Sequence, residues 1–145
     1  MPRLPSPGET LCGNDFFTAP GGKGANQAAA CARLGASVAM IGRIGDDVFG
    51  MALRDGLKNF GVDVAGVSIT PGPSGVAVIA VDEHAENSII IVSGANGRIG
   101  ADDLARLDAA LPGANSLLLQ LEIPLEAATA TVRLAHAHRV RACHP

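Results

Sequence analysis

Residues 19–36 read APGGKGANQAAACARLGA. Gly21, Gly22 and Gly24 fall within four positions, with Lys23 between them, and Asn26, Gln27 and a run of small residues follow. The pattern predicts a helix over 23–34 that starts directly after Gly-Gly and stops at Gly35. Glycines ahead of a helix let a ligand approach the backbone, or they make a turn. A phosphate loop needs GxxxxGK followed by Ser or Thr, and here Gly24 follows Lys23. A dinucleotide fingerprint needs a third glycine after a buried strand. Gln27 stands where that glycine belongs, and NDFFTAP (14–20) is no such strand. Two readings stay open: a turn feeding a helix with Lys23 in solvent, or a ligand site. Lys23 is one of only two lysines against nine arginines. Asn26 offers a donor and an acceptor in the first turn. Lys and Asn around open amides suit a neutral polyol, whose hydroxyls need both donors and acceptors.

Outward from this stretch, Ser37–Ile41 predicts a short strand, and Val48–Phe60 a helix with apolar residues at helical spacing. Asp46-Asp47 precedes that helix; one of the pair is expected to cap it, and neither is proposed as catalytic. Residues 62–69 predict a weak strand. Gly75–Val81 and Ser88–Val92 predict a hairpin around the polar 82–87 segment. Helices follow at 101–111 and from Pro124 to about His138, with a buried strand at 116–121 and another from Arg139 to Cys143. Alternation at 23–60 and 101–143 predicts an α/β fold with a parallel sheet, interrupted by a β insertion that forms a lid. His136 and His138, two apart, do not share a helix face and suit a helix C-terminus better than a metal.

With 48% apolar and 17% charged residues over 145 positions, the chain is long and apolar enough for one domain with a core. Aromatics are 3%, with no Trp or Tyr, so stacking on single-stranded nucleic acid has few means. The net charge of −3 without a basic run gives no nucleic-acid patch. No apolar run reaches the ~18 residues of a membrane span, and MPRLPSPGET lacks the apolar region of a signal peptide. Cys12, Cys31 and Cys143 are scattered, odd in number and without CxxC. The expectation is a cytoplasmic protein with no nucleic-acid or membrane partner.

The glycine stretch then resembles the first signature of the ribokinase-like carbohydrate kinases, the PfkB family. Gly21-Gly22, Gly24, Asn26 and Ala28, with Gly35 and Gly45, stand at that family's spacing. PSPGET (5–10), GGKGANQA (21–28), RLGA (33–36), IGDDVFG (44–50), GVDV (61–64), SGVAVIAVDEHAENSI (74–89), SGAN (93–96) and QLEIPLE (120–126) follow in the order of the ribokinase branch. The resemblance implies a Rossmann-type three-layer α/β sheet, here incomplete, with a small β-sheet lid formed by strands at about 10–18 and 62–92. It implies ATP-dependent phosphorylation of D-ribose to D-ribose 5-phosphate, with Mg2+, and a homodimer through the lid. It maps sugar binding onto Gly22, Lys23, Gly24, Ala25 and Asn26, and onto Glu122 of the QLE motif. Read from the residues alone, Glu122 is equally a solvated acid near a helix N-terminus. Asn96 is expected to shape the return from lid to sheet. One side of the strand holding Ile89–Ile91 is expected to cover the sugar, and the other to meet a second lid.

Departures from the family are also legible. The family's first strand and its Asn-x-Asp are not found ahead of residue 5, its Gly-Ala-Gly-Asp and Asn-x-x-Glu motifs do not occur, and His144-Pro145 stands where Asn-Pro is usual. The resulting expectation is that only the N-terminal part of the family is represented, a truncated domain over 1–145. Its catalytic base and ATP site would be missing, it would be inactive alone, and it would bind neither ATP nor Mg2+ tightly. A sugar-binding or dimerising module, or a related sugar or nucleoside kinase, is the alternative.

Overall fold

The computed structural model describes residues 1–144; Pro145, half of the His-Pro departure, lies outside the described residues. The chain divides into two units, residues 20–75 with 93 onward and residues 1–19 with 76–92.

In the larger unit, helix α1 spans Lys23–Arg33, strand β1 Gly42–Gly45, helix α2 Gly50–Asn59 and strand β2 Val67–Thr70. β1 and β2 are parallel, with Gly42 opposite Val67 and Gly45 opposite Thr70, so β1–α2–β2 is a βαβ unit. A 3-10 turn at Gly94–Arg98 leads to helix α3, Ala101–Ala110. After β3 (Val76–Val81) and β4 (Asn87–Val92) of the smaller unit, strand β5 is Ser116–Leu118, helix α4 Leu125–Ala137 and strand β6 Arg141–Cys143. β5 and β6 are again parallel, a second βαβ unit. The α/β class is as predicted; the two parallel pairs are separate two-stranded sheets among the described residues.

The helix stops are local chemistry. After α1, Gly35 takes φ 91°, its amide bonds Ala32 O at 3.0 Å and that of Ala36 bonds Cys31 O at 3.1 Å. α2 ends the same way through Gly61 (φ 83°), which turns Val62 back onto Leu57 in the core. α4 repeats the motif with Arg139 at φ 57°, returning Val140 against Ala135. One cluster joins Ala28, Ile44, Leu57, Val62, Val64 and Val67; another joins Leu107, Leu111, Ala135 and Val140. The ends of α2 and α4 thus place two core residues, Val62 and Val140.

Several strand expectations are corrected. The strand predicted at 37–41 forms instead at 42–45, and Ala39 keeps a single bridge to Asp63. Gly45 is required there by the neighbouring loop, since a Cβ on it would lie 2.3 Å from both Gly72 O and Ser74 N. The strand predicted at 62–69 does not belong with a lid: its ordered part, 67–70, pairs with β1. Residues 10–18, predicted as a lid strand, form no strand, because Gly13-Asn14-Asp15 interrupts them and no ladder partner is present among the described residues. The strand predicted at 116–121 ends at Leu118 and is not buried, since only β6 flanks it among the described residues and Leu118 is 45% exposed.

In the smaller unit, β3 (Val76–Val81) and β4 (Asn87–Val92) form the predicted antiparallel hairpin, with Ile79 opposite Ile89 and Val78 opposite Ile90. Asp82 organises its loop: Oδ1 accepts from the amides of His84 at 2.8 Å and Glu86 at 3.0 Å. Both faces are apolar and nearly every side chain is exposed.

Candidate functional site

The helix start that opened the sequence is built from Gly22 upward. Gly22 stands at φ 96° and ψ 125°, a region open to glycine and closed to side chains, and this turns the chain into α1. Its carbonyl accepts the amide of Asn26 at 2.9 Å, closing the first turn. No side chain caps the helix, so its first amides remain available to a ligand.

Across from this helix start lies the loop 119–124 that follows β5. Lys23 Nζ is 2.9 Å from Glu122 Oε1, and Gln120 Nε2 donates to Gln27 Oε1 at 3.0 Å. The structure therefore brings Lys23 and Glu122 together across 99 positions of sequence. Both heads reach solvent, with Lys23 68% and Glu122 34% exposed, so the ion pair itself contributes little stability. Asn26 is exposed beside them, Ala25 is half-buried on the core side, and Gly22 and Gly24 complete the edge. An ammonium, a carboxylate, a carboxamide and free amides now share one rim, able both to donate to and accept from neutral hydroxyls.

Gly24 is informative. A Cβ there would meet only Met40 Cε at 3.5 Å and Gln120 Cγ at 3.8 Å, which is ordinary contact. Glycine costs a helix about 1 kcal/mol relative to alanine, and nothing in the packing requires it here. Gly24→Ala is accordingly expected to stabilise the fold by about 0.5–1 kcal/mol. Urea unfolding checks the sign; a lower midpoint than that of the parent protein would refute the expectation.

The aspartate pair acts as structure. Asp47 Oδ1 accepts the Gly50 amide at 2.9 Å at the start of α2, as expected of a cap, and also the Ser74 hydroxyl at 2.7 Å. Its Oδ2 takes the Ser74 amide at 2.8 Å. The Ser74 hydroxyl and amide, with the Gly50 and Phe49 amides, hold the Asp47 carboxyl below its ordinary value. Asp46 Oδ1 accepts the Gly72 amide at 2.8 Å. Asn96 packs against Gly75, whose Cβ would lie 2.6 Å from its Nδ2. His138 closes α4 with its ring nitrogen 2.7 Å from Asp108 Oδ1 on α3.

A buried charge cluster was not foreseen. Asp103, 1% exposed, takes Arg43 Nε at 2.7 Å and the Gly100 amide at 2.9 Å on one oxygen, and Arg106 Nη2 at 2.8 Å on the other. Arg43 Nη1 also donates to Thr70 Oγ1 at 2.9 Å, so the cluster ties β1, β2 and α3. Its one sequence signal was Asp103 at the third position of α3, where an acid reaches back to the preceding amide. Two surface grooves, one lined by Leu104, Asp108, Arg133 and Leu134 and one by Leu125, Glu126 and Thr129, include neither Lys23 nor Glu122. The rim's chemistry, rather than its depth, marks the candidate site. Among the described residues, no helix is long and apolar enough to cross a membrane.

The model of the pfkB family carbohydrate kinases matches residues 3–144. The chain is 44% identical over 143 residues to the ribokinase of Schizosaccharomyces pombe, covering 94% of this chain and 45% of that protein. The structure of Arabidopsis thaliana ribokinase complexed with ribose and ATP is similar with a TM-score of 0.80 at 34% identity, covering 99% of this chain and 47% of that one. The ribokinase of Cryptococcus neoformans in complex with ADP gives a TM-score of 0.80 at 32% identity over 99% of this chain and 43% of that one. The chain spans less than half the length of these relatives.

These findings correct four expectations. The likeness is not confined to one stretch of this chain: it runs from residue 3 to residue 144, nearly all of it. A truncated, inactive chain without catalytic elements was expected from the two ends of the sequence and from two family motifs that do not occur in it; the continuous match does not support it. Weak binding of ATP and Mg2+ had the same origin. It is withdrawn in view of relatives solved with ADP and with ribose and ATP. Along this whole length, the chain belongs to the pfkB family of carbohydrate kinases.

Proposed function

We propose that the protein carrying this chain is a ribokinase-type sugar kinase, which transfers the γ-phosphoryl group of ATP, supplied with Mg2+, to the 5-hydroxyl of D-ribose. The observation that carries this reading is the meeting of Lys23 and Glu122 at 2.9 Å beside the uncapped start of α1. In this reading Glu122 accepts hydrogen bonds from sugar hydroxyls. Lys23 and Asn26 read the same hydroxyls as donors and acceptor, and the Gly22–Ala25 backbone comes close enough to hold the ring. Phosphoryl transfer depends on positioning, and these residues supply it for the acceptor.

ATP-dependent phosphorylation over a panel of ribose, deoxyribose, fructose and nucleosides tests the assignment. Ribose is expected to lead. Glu122→Gln is expected to lower kcat/KM for ribose by roughly ten- to a hundred-fold, the loss of a hydrogen bond to a charged acceptor. A nucleoside leading the panel, or a Glu122→Gln enzyme as active as the parent, would overturn it.

Two copies are further proposed to associate through the β3–β4 hairpin. Opposed pairs Val78/Ile90 and Ile79/Ile89 give it two apolar faces, each of these residues being 52–65% exposed. Sedimentation is expected to show a dimer that Ile90→Lys or Ile89→Lys, depending on the face used, converts to monomer. A monomeric parent protein would refute this.

A further inference from the structure

We propose that Gln27 and Gln120 form a positioning pair that fixes Glu122 in register with the N-terminus of α1 while Lys23 and Glu122 are engaged by a sugar. The inference rests on the sugar-site reading above.

Lys23 and Gln27 are four residues apart on α1 and so lie on one face. Glu122 and Gln120 are two apart in the loop after β5. The two couples make a ladder: Lys23 to Glu122 at 2.9 Å near solvent, and Gln27 to Gln120 at 3.0 Å between half-buried side chains.

The loop itself has few other polar ties. Leu119 is held by its amide on Cys143 O at 3.0 Å, and Pro124 O takes the Ala128 amide as α4 begins. Among the described residues, the backbone groups of 120–123 make no hydrogen bond, so the two rungs are the polar tethers of Glu122. A sugar that recruits Lys23 and Glu122 exchanges the first rung for hydroxyl contacts. The second rung then alone keeps the loop at its distance from the helix. A carboxamide pair suits the task. It carries no charge to compete for the ligand, and its partial burial protects it from water. Gln120 also runs beside Gly24, 3.8 Å from where a Cβ would stand, so its placement bears on both sides of the rim.

The test uses Gln27→Ala, Gln120→Ala, the double variant, and Gln27→Glu, which keeps the acceptor oxygen. Each alanine variant is expected to raise KM and Kd for ribose about five-fold with kcat and thermal midpoint unchanged. The double variant is expected to be no worse than either single, and Gln27→Glu to recover most of the loss. In the ligand-free protein, 15N order parameters of residues 120–123 are expected to fall in Gln27→Ala while those of α1 hold. Single variants with unchanged ribose affinity, multiplying effects in the double, or losses that track a falling thermal midpoint would each overturn the pair. A parent protein that binds no sugar overturns the sugar-site reading and this role with it. Normal sugar binding by the parent, with unaltered order parameters in Gln27→Ala, overturns the pair alone.

Discussion

Gly45→Ala is expected to abolish the native fold. A Cβ on Gly45 would lie 2.3 Å from Gly72 O, 2.3 Å from Ser74 N and 2.6 Å from the Pro73 carbonyl carbon, all of them backbone atoms. The loop cannot retreat, because Asp46 holds Gly72, Asp47 holds Ser74, Arg98 Nη1 donates to Pro71 O at 2.8 Å, and the Ala95 amide holds Pro73 O at 2.9 Å. From the far side Gly94 closes in, since its own Cβ would stand 2.4 Å from Ser74 O. Overlap with a fixed backbone belongs to the rare class that costs more than about 4 kcal/mol, against a total stability of ~5–15 kcal/mol. With no Trp or Tyr in the chain, urea unfolding followed by far-ultraviolet circular dichroism is the suitable measurement. Gly56→Ala is the control. It lies inside α2 with nothing within 4 Å of its would-be Cβ, and is expected to gain up to ~1 kcal/mol. A Gly45→Ala midpoint equal to that of the parent would disprove this account of the loop.

Asp103→Ala is expected to cost about 3–5 kcal/mol, the effect of removing one partner from a buried ion cluster. Arg43, 17% exposed, would keep its charge inside the fold with only Thr70 as a partner, and the Gly100 amide would lose its acceptor. The same cluster sets an acid limit. Burial pushes the Asp103 carboxyl up, but the Gly100 amide, Arg43 and Arg106 together outweigh it and hold the group below its ordinary value. A lowered folded-state value contributes stability that is present above the unfolded-state pKa of about 3.9. That stability is lost as the pH falls through the folded-state value beneath it. Unfolding followed from pH 7 to pH 2 is expected to show that acid loss in the parent protein and a flatter profile in Asp103→Asn. An Asp103→Ala protein as stable as the parent at pH 7 would remove the cluster from the stability account.

The helix start at Lys23 and the stop at Gly35 were legible because they depend on a few neighbouring dihedrals. The hairpin was legible because two β-rich runs flank a compact polar loop. The motif series points to both halves of the candidate rim, Lys23 with Asn26 and Glu122. Strand positions were less legible. Ser37–Ile41 has the composition of a strand, yet the ladder forms three to five residues later, where Gly42 and Gly45 fit against β2 and the 72–74 loop. Nothing near Arg43 in the sequence announces Asp103, sixty residues on.

The sequence by itself determined the family, the α/β class, the points where helices start and stop, and a set of residue types able to donate to and accept from hydroxyls. These follow from local conformation and from motif order. Only the tertiary structure decided that β2 pairs with β1 instead of joining the hairpin, that Asp103 takes Arg43, and that Gln27 meets Gln120 beside the Lys23–Glu122 pair. Those contacts join residues 25 to 99 positions apart. Their geometry is set by the packing of whole elements, which no short stretch of chain encodes.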